Sequence, residues 1–177
     1  MEEKVNVWKA NLTNGLILGL VGVTYSIVIY FLDLSFNKIQ GPVFYIIEFA
    51  LLFFLLKSYR DNFLHGQITY GQSVGAGVII FFYYAIIMAI FMYILYTVID
   101  SGLVAKQLAF MEEELVKKGL PDAAIETAMK IQAKIIKPEI LAPISIFSSM
   151  LLGVIFSLIV SIFVRKEGNP LIDAPEN

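Results

Sequence analysis

The chain has no cysteine and a single histidine, His65. Without thiols, disulfides, thiolate nucleophiles, iron–sulfur ligation and Cys-bound zinc are excluded. One imidazole rules out a multi-histidine metal centre. Charge is also scarce. Asp, Glu, Lys and Arg make up 16% of the 177 residues, against about 25% in soluble domains. The net charge of −2 leaves no basic face for nucleic acid. No metal, cofactor or nucleic-acid partner is expected.

What the chain has in abundance is apolar sequence, 58% of its residues. Crossing ~30 Å of hydrocarbon as a helix takes about 20 such residues. Four stretches qualify. Residues 10–32 carry no charge, residues 39–56 carry only Glu48, and residues 66–99 and 140–164 carry none. The runs are too long and too continuous for the short alternating strands of a membrane barrel. The first could pass for a signal peptide, but Tyr30, Phe31, Leu32 and Asp33 after it offer no small-residue cleavage site. The reading is an all-α protein: a membrane four-helix bundle forming a single membrane domain over residues 1–177. Its spans are placed at about 14–32, 40–56, 72–99 and 140–164, with an extramembrane αα-hairpin, residues 100–139, between the third and fourth.

An even number of spans puts both termini on one side. Lys9, Lys57, Arg60, Arg165 and Lys166 lie close to the span ends on that side. Lys38 and Lys137 lie on the other, beside Asp33, Asp100 and Glu139. Basic residues near span ends stay in the cytoplasm, so both termini are assigned there.

Small residues let membrane helices approach closely. The first span carries Gly15, Gly19, Gly22 and Ser26 on one stripe. The third offers Gly71 and Gly75, then Ala85 and Ala89. The fourth repeats a small residue every four positions at Ser145, Ser149, Gly153, Ser157 and Ser161. The second is bulky, with Ala50 its one small side chain, which suits the bundle edge.

In the insert, Val104, Leu108, Met111 and Leu115 mark one helix face, and Ile125, Met129, Gln132 and Ile136 a second. Gly119 followed by Leu120 reads as a glycine stop between them. Pro121 suits the first position of the second helix, and Pro138 ends that helix. The two apolar faces suit packing on each other, on the bilayer surface or on a protein partner.

Glu48 stands inside the second span. Eleven Leu, Ile, Phe and Val residues fill positions 40–56. At roughly −0.3 to −0.6 kcal/mol each they offset about +3 kcal/mol for one acid. The span therefore inserts, and its carboxyl must be neutral or hydrogen-bonded, which makes it a functional candidate. Thr24, Tyr83, Tyr84 and Ser149 lie at similar depth on the other spans and are its candidate partners.

The second connection is the densest polar segment. Tyr59, Arg60, Asp61, Thr69, Tyr70 and Gln72 are its candidate functional residues, with Thr69 and Gln72 spaced as a capping box for the third span. Arg60 can pair with Asp61 or with anionic lipid head groups. Here the chain resembles a bacterial membrane family designated domain of unknown function 4199. The likeness rests on Lys57-Ser58-Tyr59-Arg60-Asp61 followed by Gly66-Gln67-Ile68-Thr69-Tyr70-Gly71-Gln72, and it extends to the four-span layout and the Gly119-Leu120-Pro121 turn. Gln67 stands where a second glycine is often expected. The resemblance implies a bacterial inner (cytoplasmic) membrane and supplies no reaction.

No zincin motif, phosphate loop or nucleophile elbow occurs. The expectation is therefore a non-enzymatic protein of the lipid bilayer. It would act through a protein partner bound by the hairpin 100–139, or as a small homo-oligomer. The alternative is a small transporter or channel subunit working through Glu48.

Overall fold

A computed structural model of the chain describes residues 5–167. Its helices are α1 (Val7–Phe31), α2 (Gln40–Phe63), α3 (Tyr70–Ile94), α4 (Leu103–Lys117), α5 (Asp122–Ile135) and α6 (Pro138–Val164). A π-helical turn, Leu95–Ile99, prolongs α3. Four of these are long and apolar enough to cross a membrane: α1, α2, α3 with its π turn, and α6. Their outward faces carry the apolar side chains that a soluble protein would bury. Leu20, Ile46, Phe54, Phe147 and Phe163 are all exposed. Helices satisfy their own backbone groups, so such faces suit lipid. The fold is the expected all-α bundle with a helical hairpin between its third and fourth long helices.

Several helices run past the predicted spans, for local reasons. α1 begins at Val7 rather than near residue 14. Asn6 caps it there, its side chain accepting from the amides of Trp8 and Lys9. α2 continues through the polar Lys57–Asn62 stretch to Phe63. It stops at His65 and Gly66, whose φ values of 53° and 82° no helix tolerates. α6 starts at Pro138, a residue that suits a first helical position because the amide it lacks would be unpaired there. Pro121 is not the first residue of α5. It is extended, with ψ 145°, and Asp122 opens the helix behind it.

α3 is the central helix, packed most extensively on α6 and α1, while α2 lies across the group with sparser contacts. The reason is side-chain size. A Cβ on Gly15 would overlap Tyr83, and one on Gly19 would fall 2.5 Å from Ile87. A Cβ on Gly153 would overlap Phe81, and one on Gly77 would overlap Ser157. The glycines of the first and fourth stripes therefore face α3. Gly71 and Gly75 do not serve α3 in this way, because no atom lies within 4 Å of the Cβ either would carry. Ser73, Gly77 and Ala76 face inward instead. The bulky α2 stands off and fills its gap with Leu52, Leu55 and Leu56, which join Leu18, Ile80, Phe81 and Val160 in the core.

The hairpin turns at Gly119, φ 71°. There the Leu120 amide donates back to the Leu115 carbonyl and the Gly119 amide to the Val116 carbonyl. Ile125 and Ile136 are buried, and Val104, Leu108, Met111 and Leu115 are half-buried. The hairpin rests on the α1–α2 connection through stacking of Phe36 on Phe110, centroids 5.6 Å apart, and through a Lys38–Glu114 ion pair. At its base Asp100 accepts from Lys106 at 2.8 Å and from the Tyr30 hydroxyl at 3.3 Å.

Candidate functional site

At the end of the bundle where α1 starts and α6 finishes, the polar connection between α2 and α3 folds back onto α6. Ile68 is buried and forms an antiparallel bridge with Lys166. Its amide donates to the Lys166 carbonyl at 2.8 Å and its carbonyl accepts from the Lys166 amide at 2.9 Å. Arg60 sits one turn before the end of α2. Its guanidinium holds both Asp61 oxygens, at 2.8 and 3.3 Å, and donates to the Val164 carbonyl at 3.0 Å. That carbonyl is among the last four of α6, which have no partner inside the helix. Thr69 and Gln72 form the capping box: the Gln72 amide donates to Thr69 Oγ1 at 3.3 Å, and the Thr69 amide to Gln72 Oε1 at 3.0 Å. The Tyr70 hydroxyl reaches across to the Leu158 carbonyl at 3.0 Å. Tyr59 is buried against Phe63.

Of these residues Tyr59, Ile68, Thr69, Gln72 and Lys166 line an open cleft of about 1130 Å³. Tyr59, Ile68, Ala76 and Ile79 give it apolar walls, and His65, Gln67, Thr69 and Gln72 edge it with polar groups. The six candidate residues of this connection are thus brought together at one end of the bundle. Arg60 spends its hydrogen bonds on Asp61 and the Val164 carbonyl, Tyr70 on the Leu158 carbonyl, and Thr69 and Gln72 on each other.

The second candidate lies inside the bundle. Glu48 is 1% exposed. α2 turns it toward α3, where the Tyr84 hydroxyl lies close enough to interact with the carboxyl. Its Oε2 has no hydrogen-bond partner. Aromatic rings surround this level. Phe156 of α6 packs edge-on against Tyr45, Phe49 and Phe81, and Phe81 against Tyr84.

Of the four candidate partners of Glu48, Tyr84 alone approaches it. Thr24 is exposed on the outward side of α1. It is nine residues from Gly15, which at 100° per residue is the opposite face. Tyr83 directs its hydroxyl to the Trp8 carbonyl at 3.3 Å. It neighbours Tyr84 on α3, and two adjacent helical residues cannot face the same point. Ser149 is half-buried and makes no bond to the carboxyl.

Three buried polar residues escaped the sequence reading, Asn11, Asn14 and Ser73. Asn14 donates to Asn11 Oδ1 at 3.1 Å and lies 3.5 Å from the Leu55 carbonyl of α2, while Asn11 donates to the Val7 carbonyl at 3.0 Å. Two asparagines three residues apart at the head of an apolar run were the available signal. Ser73 and Ser161 likewise join α3 to α6 at 2.8 Å.

The family model described as "Protein of unknown function (DUF4199)" matches residues 13–166. No curated protein and no solved structure matches the chain.

Proposed function

The chain belongs to the DUF4199 family, whose function is unknown, and we propose that it works as a non-enzymatic membrane scaffold that binds a protein partner. The membrane is a bacterial cytoplasmic membrane. The helix ends carrying Lys9, Lys57, Arg60 and Lys166 face the cytoplasm, and the hairpin faces the other side. The observation that supports partner binding is the use made of the α2–α3 connection. Arg60 and Tyr70 tie that end of α2 and α3 to α6, and Thr69 and Gln72, which cap α3, line an open cleft beside them. A fixed concave surface, apolar on its walls and polar at its edge, is what a partner segment docks into with little loss of entropy. The hairpin offers a second surface, with Val116 and Ile131 exposed.

Photoreactive side chains at Gln67, on the cleft edge, and at Ile131, on the hairpin, test this in intact membranes. The expected result is a discrete protein adduct at Gln67 that Arg60→Ala abolishes. Adduct to lipid alone at both positions would overturn the partner reading. A second reading, a small transporter or channel subunit, draws on one observation: the buried Glu48 carboxyl with an unpartnered oxygen. It requires a pH-dependent flux in proteoliposomes that Glu48→Gln removes with the fold intact.

A further inference from the structure

Among the described residues, the buried polar side chains are Asn11, Asn14, Glu48, Ser73, Ser157 and Ser161. Their distribution is one-sided. Asn11 and Asn14 lie at the start of α1, Ser73 at the start of α3, and Ser157 and Ser161 at the finish of α6. All therefore fall between Glu48 and the end of the bundle that carries the cleft. Two atoms in the set have no hydrogen-bond partner, Glu48 Oε2 and Ser157 Oγ. We propose that Glu48 is a proton-binding site inside the membrane and that its proton exchanges with the compartment on the cleft side, not with the hairpin side.

The ligand follows from the surroundings of the carboxyl. α3 contributes Tyr84, which interacts with it, and α2 itself contributes Tyr45 one turn away. The nearest titratable group of α1 is Tyr25, whose hydroxyl is bound to the Gln40 carbonyl at 2.7 Å. α6 has no titratable residue between Glu139 and its end. Lys9, Lys57 and Arg60, the cations of the long helices, all lie toward the cleft end, so none pairs with a carboxylate at this depth. A buried anion with one oxygen unpaired is severely disfavoured in such a site, whereas the neutral acid needs far less from its neighbours. One proton on the carboxylate removes the charge.

The route follows from the polar set. Ser157 lies against Gly77 at the next polar level toward the cleft, with Ser161 and Ser73 one turn further on. Leu52 and Leu56, both fully buried, follow Glu48 by one and two turns along α2 toward the cleft and form an apolar layer there, Leu56 reaching the level of Gly77. Transient hydration of that layer is the step that exchange requires. The inference concerns the same carboxyl as the transport reading but needs binding alone.

Infrared spectroscopy of the protein in lipid tests it. At neutral pH the wild type should show the carbonyl band of a protonated carboxylic acid, absent from Glu48→Gln. The chain has no cysteine, so one can be introduced for labelling. A bulky maleimide on Gly75→Cys, in the cleft, should slow deuterium exchange of that band several-fold. The same label on Val98→Cys, exposed near the hairpin, should leave it unchanged. No band at neutral pH, or a band that survives Glu48→Gln, overturns the site. Slowing by the Val98 label, or by neither, overturns the sidedness. A band without flux sinks transport and leaves this inference standing, and cation flux without a band does the reverse.

Discussion

Gly75 and Gly77 stand two positions apart on α3 and meet opposite surroundings. A Cβ at Gly77 would overlap Ser157 Oγ and fall 2.8 Å from its Cβ, while nothing lies within 4 Å at Gly75. Gly77→Ala is expected to cost about 1–3 kcal/mol, because overpacking a close helix contact forces backbone movement. Gly75→Ala should be neutral or stabilise by up to about 1 kcal/mol, since alanine favours a helix over glycine. Unfolding in mild detergent measures both, and equal effects would refute this account of the α3–α6 contact. The sequence alone pointed to Gly71 and Gly75 because their spacing resembles a packing motif. Small residues sit at 71, 73, 75, 76 and 77, on several faces of α3, so spacing cannot say which face meets α6. The same holds for Glu48. Its depth was legible from its place in an apolar run, but four residues shared that depth. Only helix rotation selects Tyr84.

At the scale of the element, one ion pair, Lys38 with Glu114, ties the hairpin to the α1–α2 connection and another, Lys106 with Asp100, fixes its base, and their titration has a definite sign. The Lys106 ammonium, with help from the Gly102 amide and the Tyr30 hydroxyl, holds the Asp100 carboxyl below the usual carboxylate range. Lys38 does the same to Glu114. A carboxylate with a depressed pKa contributes in full above its free value, about 4. That contribution is lost as pH falls through the lower docked value. Asp100 in turn raises Lys106 above its ordinary 10.5, so the basic limit lies higher still. Docking should therefore be constant from about pH 5 to 9 and loosen below about pH 4. Spin labels on cysteines introduced at Ser35 and Lys118 would report it. Distances that broaden already near neutral pH would contradict the ion-pair account. The hairpin itself was legible from Gly119 and two periodic faces. Its seat on the α1–α2 connection was not, because Phe36 and Phe110 are 74 positions apart and neither belongs to a periodic pattern.

The whole molecule has one orientation to test. Reporter fusions within residues 61–66 should read cytoplasmic, and fusions near Gly119 should read external. The basis is the group of Lys9, Lys57, Arg60, Arg165 and Lys166 at one end of the helices. The reverse result would invert the protein in its membrane and place the cleft outside, while leaving the four long helices as they are.

Helix number, helix class and the hairpin turn were determined by the sequence itself. They depend on run length, on glycine and proline chemistry and on caps such as Thr69 with Gln72, all of them local properties of a chain in lipid. The tertiary structure decided which faces meet. It chose Gly77 over Gly75 and Tyr84 over Tyr83, sent Arg60 to the Val164 carbonyl, and gathered the buried polar groups at one end of the bundle. In helices apolar on every side, the hydrophobic pattern carries no preferred inward face. Rotation is then set by close packing of small residues and by the few polar groups that must find partners away from water.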